Sequence, residues 1–129
     1  NVSENVETSS QPIPILKKIL TQAETIKMGG NYHVHHAMLM NIPVEKVDGL
    51  DPEPATWYDS EGNDRDFEKG EVINKPIEVW YDADQDLYTL YDGNHRMKQA
   101  KLNGDKYIKA FVQADKEQSV KFLHLVVAG

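Results

Sequence analysis

The chain has 129 residues, of which 40% are apolar. That suits one domain with a single packed core. No apolar run approaches the ~18–20 residues of a membrane-crossing helix, and the formal net charge of −7 argues against broad, phosphate-driven binding of DNA or RNA. Cysteine is absent, which excludes a disulfide framework, a thiolate metal site and a cysteine nucleophile.

The first residue is Asn1 and not Met, so the natural start is expected to have been removed, and any signal peptide would lie upstream. A cytoplasmic location is favoured, with a processed or secreted form left open. Residues 1–12 are polar and aperiodic and read as a disordered arm. Residues 13–129 read as one domain with an N-terminal helical extension. Over 14–28, Ile15, Leu16, Ile19, Leu20, Ala23 and Ile26 recur at spacings of three and four, which predicts a helix ended by Gly29 and Gly30. Residues 31–41 fit either a short helix or an irregular connection. The alternation over 42–47 predicts a short strand, at a sheet edge because of Pro43.

Residues 48–75 are rich in Asp, Glu, Gly and Pro and read as a long acidic loop with one short helix over 54–60. The remainder is sharper. Strands are predicted over 76–81, 87–91 and 107–112, with a turn over 82–86. A helix is predicted over 94–102, burying Met97, Ala100, Lys101 and Leu102 and stopped by Gly104. Residues 117–127 suit a terminal helix or strand. The expected fold class is α+β, a small mixed β-sheet with packed helices.

Chemistry concentrates in Asp92-Gly93-Asn94-His95-Arg96, at the junction of a strand and a helix. A helix start leaves backbone N–H groups unpaired and carries partial positive charge. Gly93 permits close backbone approach, and Arg96 adds a planar guanidinium suited to phosphate. Asp92 suits a metal that accompanies a phosphate, or a helix cap, and His95 suits proton transfer or ligand positioning. Asp, Gly and Asn at such a turn are also ordinary capping chemistry, so the residues alone leave both readings open. His33, His35 and His36 form a second candidate, a metal site if further ligands join them. Asp82, Asp84 and Asp86 have calcium-loop spacing, but Leu87 stands where that loop needs Gly, so a charged hairpin turn is expected.

The segment 87–112, with the strand over 76–79 and the opening strand over 42–47, resembles the ParB/sulfiredoxin-like superfamily. Its members carry a Gly-x-x-Arg box, often Asp-Gly-His-His-Arg, at this junction. The resemblance covers residues 42–112 and implies a nucleotide- or phosphate-binding domain. By position it implies that Gly93, Asn94, His95 and Arg96 contact phosphates, with Asp92, His95 and Glu53 as catalytic residues. It implies phosphotransfer or phosphohydrolysis of the NTPase, small-molecule kinase or nuclease type. The implied cofactor is a nucleoside triphosphate or diphosphate with Mg²⁺, and the implied partner is a nucleotide or phosphorylated small molecule. Sulfinic acid reduction is excluded, because the sulfiredoxin Cys position is Asn94 here. The family's second box has at most a degenerate counterpart at Glu117–Lys121. The alternative function is a non-catalytic interaction module that keeps this fold and binds a protein partner.

Overall fold

A computed structural model describes residues 11–49, 57–58, 64–65, 70 and 73–125. The fold is a mixed α+β arrangement of a six-stranded sheet and three α-helices. In chain order these are β1 (Ile13–Pro14), α1 (Gln22–Lys27), β2 (Met38–Pro43), β3 (Val47–Asp48), β4 (Trp57–Tyr58), β5 (Asp64–Arg65), β6 (Ile77–Asp82), β7 (Leu87–Asp92), α2 (Asn94–Asn103), β8 (Tyr107–Gln113) and α3 (Lys116–Leu123). A 3₁₀ turn over Val44–Lys46 joins β2 to β3. The sheet order is β1-β2-β8-β6-β7-β3. β8 pairs antiparallel with β2 and parallel with β6, while β6 and β7 form an antiparallel hairpin. The short β4–β5 pair is separate. No helix among the described residues is long and apolar enough to cross a membrane.

The period-two alternation of the strands divides the core in two. Met38, Met40 and Ile42 of β2 join Ile77, Val79, Ile108, Ala110 and Val112 in one cluster with Met97 and Ala100 of α2 and Phe122 of α3. The intervening Leu39 and Phe111 belong to a second cluster with Leu20, Val34 and Ala37. Two helices therefore cover one face of the sheet, and the 15–37 segment straps across part of the other.

That strap is where the predicted helix over 14–28 gives way. Ile13 and Pro14 pair with Asn41 and Met40. Leu20 donates its backbone N–H to the Ala37 carbonyl at 2.7 Å and accepts from His36 at 2.9 Å. Only Gln22–Lys27 is helical, because Thr21 and Glu24 close a capping box there. The apolar spacing of three and four marks a strap whose Leu20 is buried while Ile15 and Ile26 stay exposed. The strand predicted over 42–47 begins earlier, at Met38, and ends at Pro43. β2 lies between β1 and β8, and the edge position falls to Val47–Asp48. Trp57–Tyr58 is a strand and not part of a helix over 54–60; the rest of that span lies outside the described residues, as do residues 1–10 of the expected arm. In α2, Met97 and Ala100 are buried as expected. Lys101 and Leu102 face solvent, and Gln99 takes the third buried position. The 82–86 segment is a tight turn, with Asp82 Oδ1 accepting from the N–H groups of Asp84 at 2.9 Å and Gln85 at 3.3 Å.

Tyr81 links this turn to the core. Its ring packs 4.8 Å from Tyr88 and 5.3 Å from Phe122, and its hydroxyl donates to Asp86 at 2.6 Å. Burial, then the Asp86 hydrogen bond, pushes the Tyr81 hydroxyl up to about 12 from an ordinary 10.0. Burial pushes the Tyr88 hydroxyl up still further. The unfolded chain gives up these protons more readily than the folded one, so rising pH favours the unfolded state. Stability from these tyrosines is therefore intact below pH 10 and falls as pH rises through about 12. Tyr81→Phe should flatten part of that alkaline decline, read by chemical denaturation at a series of pH values alongside tyrosinate absorbance.

Candidate functional site

The site grows from the end of the β6–β7 hairpin. A register shift between Glu78 and Val79 sets Glu78 opposite Asp92, the last residue of β7. Gly93 follows at φ +117°, in the left-handed region, and caps α2. A Cβ at this position would lie 2.5 Å from Ile77 Cγ2 and 3.1 Å from the Arg96 guanidinium. Gly93 thus lets the turn press onto β6 and lets the Arg96 side chain fold back over the turn. No side chain caps the start of α2, and its first turn holds no acidic residue.

Arg96 donates from Nη2 to Asp92 Oδ2 at 3.1 Å, and its Nε is buried with no hydrogen-bond partner among the described residues. Asp92 is therefore a partner of Arg96 and not a helix cap. The same Oδ2 lies 3.3 Å from Asn31 Nδ2. Asn31 is also the clamp on Glu78. Its side-chain amide donates to Glu78 Oε2 at 2.7 Å and its backbone N–H donates at 3.0 Å. The other carboxylate oxygen, Oε1, faces His33 Nε2 at 3.3 Å and has no hydrogen bond among the described residues. Five side chains, Arg96, Asp92, Asn31, Glu78 and His33, are thus linked in one polar chain across the strap, β6, β7 and α2.

Burial is graded along this chain. Glu78 is fully buried, whereas His33 has a side chain 57% exposed and Asp92 one 46% exposed. Taking a carboxylate out of water costs several kcal/mol after relaxation. The two donors of Asn31 offset part of that cost by bonding the charged form. His33 stands at the solvent end, its ring meeting Tyr32 edge-on at 5.7 Å.

Of the sequence candidates, the structure brings together Asp92, Gly93, Arg96 and, from the other end of the chain, His33. Asn94 and His95 lie half-buried on the first turn of α2, engaged by neighbours. His35 and His36 do not join His33. They pack against each other edge-on at 4.8 Å, both exposed, with His36 at φ +60°. Among the described residues no three His, Asp or Glu side chains converge as metal ligands. Glu53 lies outside the described residues. A cavity of about 440 Å³ lies elsewhere, against Asn41, Asn103, Tyr107 and Lys109, with none of the site residues in its wall.

Glu78 and Asn31 were not among the residues singled out by sequence. The available signal was one carboxylate, Glu78, between Ile77 and Val79 in a predicted strand, and one Asn following Gly29 and Gly30. No protein-family model matches the chain, and no curated protein matches it significantly.

Gly93→Ala should lose about 2–4 kcal/mol, from a strained left-handed backbone and the clash with Ile77. Urea denaturation would read this as a lower midpoint at unchanged slope. A variant as stable as the parent would show that the turn has room that the geometry denies.

Proposed function

We propose that the Asp92–Arg96 turn binds the phosphates of a nucleotide or phosphate ester, in a domain of the ParB/sulfiredoxin-like kind, and that its chemistry is phosphotransfer or phosphohydrolysis. The observation that carries this reading is the start of α2, which has no side-chain cap, no acid in its first turn, and the Arg96 guanidinium beside it. A helix start of this kind offers backbone N–H groups and partial positive charge to an anion. Gly93 removes the Cβ that would stand between that helix start and Arg96. Asn94 and His95 occupy the first turn, where an oxygen bound to the amides would meet their side chains.

Magnesium in this reading would arrive with the phosphates and face Asp92. In phosphoryl transfer the protein mainly positions and neutralises charge, which Arg96 and the helix start suit.

One observation favours the second reading, a non-catalytic interaction module. Arg96 already has an anion, the Asp92 carboxylate. A phosphate must displace that partner or share it. Thermal shift with ATP, ADP, CTP and GTP, each with and without Mg²⁺, separates the two. Nucleotide binding raises the melting temperature by mass action, and a hundredfold excess over Kd adds about 2.7 kcal/mol. Arg96→Ala should abolish the nucleotide-dependent rise, whatever it does to the ligand-free melting temperature. A parent chain indifferent to all four nucleotides would refute the phosphate site and leave the interaction module.

A further inference from the structure

The polar chain ends on a half-exposed histidine beside a buried acid. The Asn31 backbone and side-chain N–H groups that reach Glu78 both bond Oε2, so Oε1 is the oxygen left to orient a neighbour. That neighbour is His33 Nε2, at 3.3 Å. Oε1 is buried without a hydrogen bond among the described residues, and an imidazole protonated on Nε2 beside it would keep its lone pair on Nδ1. The acid is buried and the imidazole is half in solvent, which is the division of roles in a dyad where a fixed acid orients an accessible base. The pair lies within hydrogen-bond distance but is poorly aligned, which is common at catalytic pairs before a ligand binds. A salt bridge serving only stability is poorly explained here, because an apolar side chain facing Phe111, the cross-strand partner of Glu78, would avoid the desolvation cost.

We infer that His33, oriented by Glu78, is the proton acceptor of this site for a water or hydroxyl that attacks a phosphoryl group. The inference rests on the phosphate reading of the Asp92–Arg96 turn. It assigns proton transfer to the strap, in place of His95 on the helix. As the nucleophile's oxygen forms its bond to phosphorus, its proton passes to His33 Nδ1. The bond from phosphorus to the leaving oxygen breaks, and that oxygen keeps the electron pair, as ADP does when ATP is hydrolysed. His33 then returns the proton to solvent. Glu78 is a positioning residue, and Asn31 fixes it while joining it to Asp92 and so to Arg96.

Two measurements on the full chain test this. In ¹⁵N-resolved spectra of the free protein, His33 should populate one tautomer with its proton on Nε2, and Glu78→Gln should abolish that preference. A proton on Nδ1, or an even mixture, would overturn the dyad. Phosphate release is then followed with ATP, ADP, CTP and GTP, each with Mg²⁺. His33→Gln should lower kcat about 100-fold or more with KM little changed, the range expected for a positioned base. His124→Gln, at the exposed end of α3, serves as the control that keeps parental turnover. Because His33 is exposed, His33→Gln should fold even if Glu78→Gln does not. Equal turnover of His33→Gln and parent would overturn the proton-transfer role, and so would a parent that binds nucleotide without turning it over. In both cases phosphate binding at the turn survives. If none of the four nucleotides binds, that reading fails and the role of His33 falls with it.

Discussion

The buried carboxylate of Glu78 is the constraint on which the arrangement turns. It lies on the face of the sheet opposite the helices, beside Phe111, where water does not reach it. A charge in that position is tolerable only while Asn31 supplies both its backbone and its side-chain N–H. Removing one partner of a buried charge is among the costliest single changes, commonly 3–5 kcal/mol. The strap over 15–37 is therefore fixed to the sheet by more than the apolar contacts of Leu20 and Val34. Its closure positions Asn31, and Asn31 in turn ties the strap to the turn that begins α2.

This linkage changes how the turn behaves. Considered alone, Asp92 and Arg96 are an i,i+4 ion pair at a helix start, partly screened by water, and such pairs contribute at most about 1 kcal/mol. Asn31 adds a third group to Asp92 Oδ2 and connects it to a carboxylate that cannot move. The geometry of Arg96 then depends on three segments: the adjoining end of β7, the strand β6 and, far off in sequence, the loop after α1. A substitution in any of them will be felt at the guanidinium.

The parts of the fold legible in the sequence are those in which local pattern and tertiary role agree. The β6–β7 hairpin, α2 with Gly104 at its end, and β8 all carry period-two or period-four signals with turn residues at the boundaries, and they form close to where those signals place them. The strap does not, because its apolar residues mimic helical spacing while the chain pairs with β2 through Ile13 and Pro14 and with Ala37 through Leu20. The start of β2 was hidden by the run Ala37 to Met40, apolar on every residue, which fits a strand buried on both faces as well as a helix. Gly93 and Arg96 were legible because a turn needs a left-handed residue and a helix start advertises its charge. Glu78 was not, because alternation marks which residues face a core and cannot say that one core-facing position holds a charge. Its partner lies 47 residues away, and a pairing at that separation leaves no local trace in a single sequence.

The electrostatics of the cluster also bound what can bind there. Glu78 and Asp92 contribute two carboxylates against one guanidinium, and the whole chain carries −7. A bare polyanion approaching Arg96 meets Asp92 at 3.1 Å from the group it seeks. At an effective dielectric of about 20, two unit charges 4 Å apart interact by about 4 kcal/mol. An uncompensated phosphate would thus lose on Asp92 much of what it gains on Arg96. A phosphate that arrives with a divalent cation reverses the sign of the Asp92 contribution, since the carboxylate then faces a positive charge. Under the proposed phosphate reading, each further phosphate of a long, unneutralised nucleic acid would add repulsion from a chain of net charge −7. If the turn is an anion site, charge alone selects a compact, metal-accompanied phosphate over an extended polyanion.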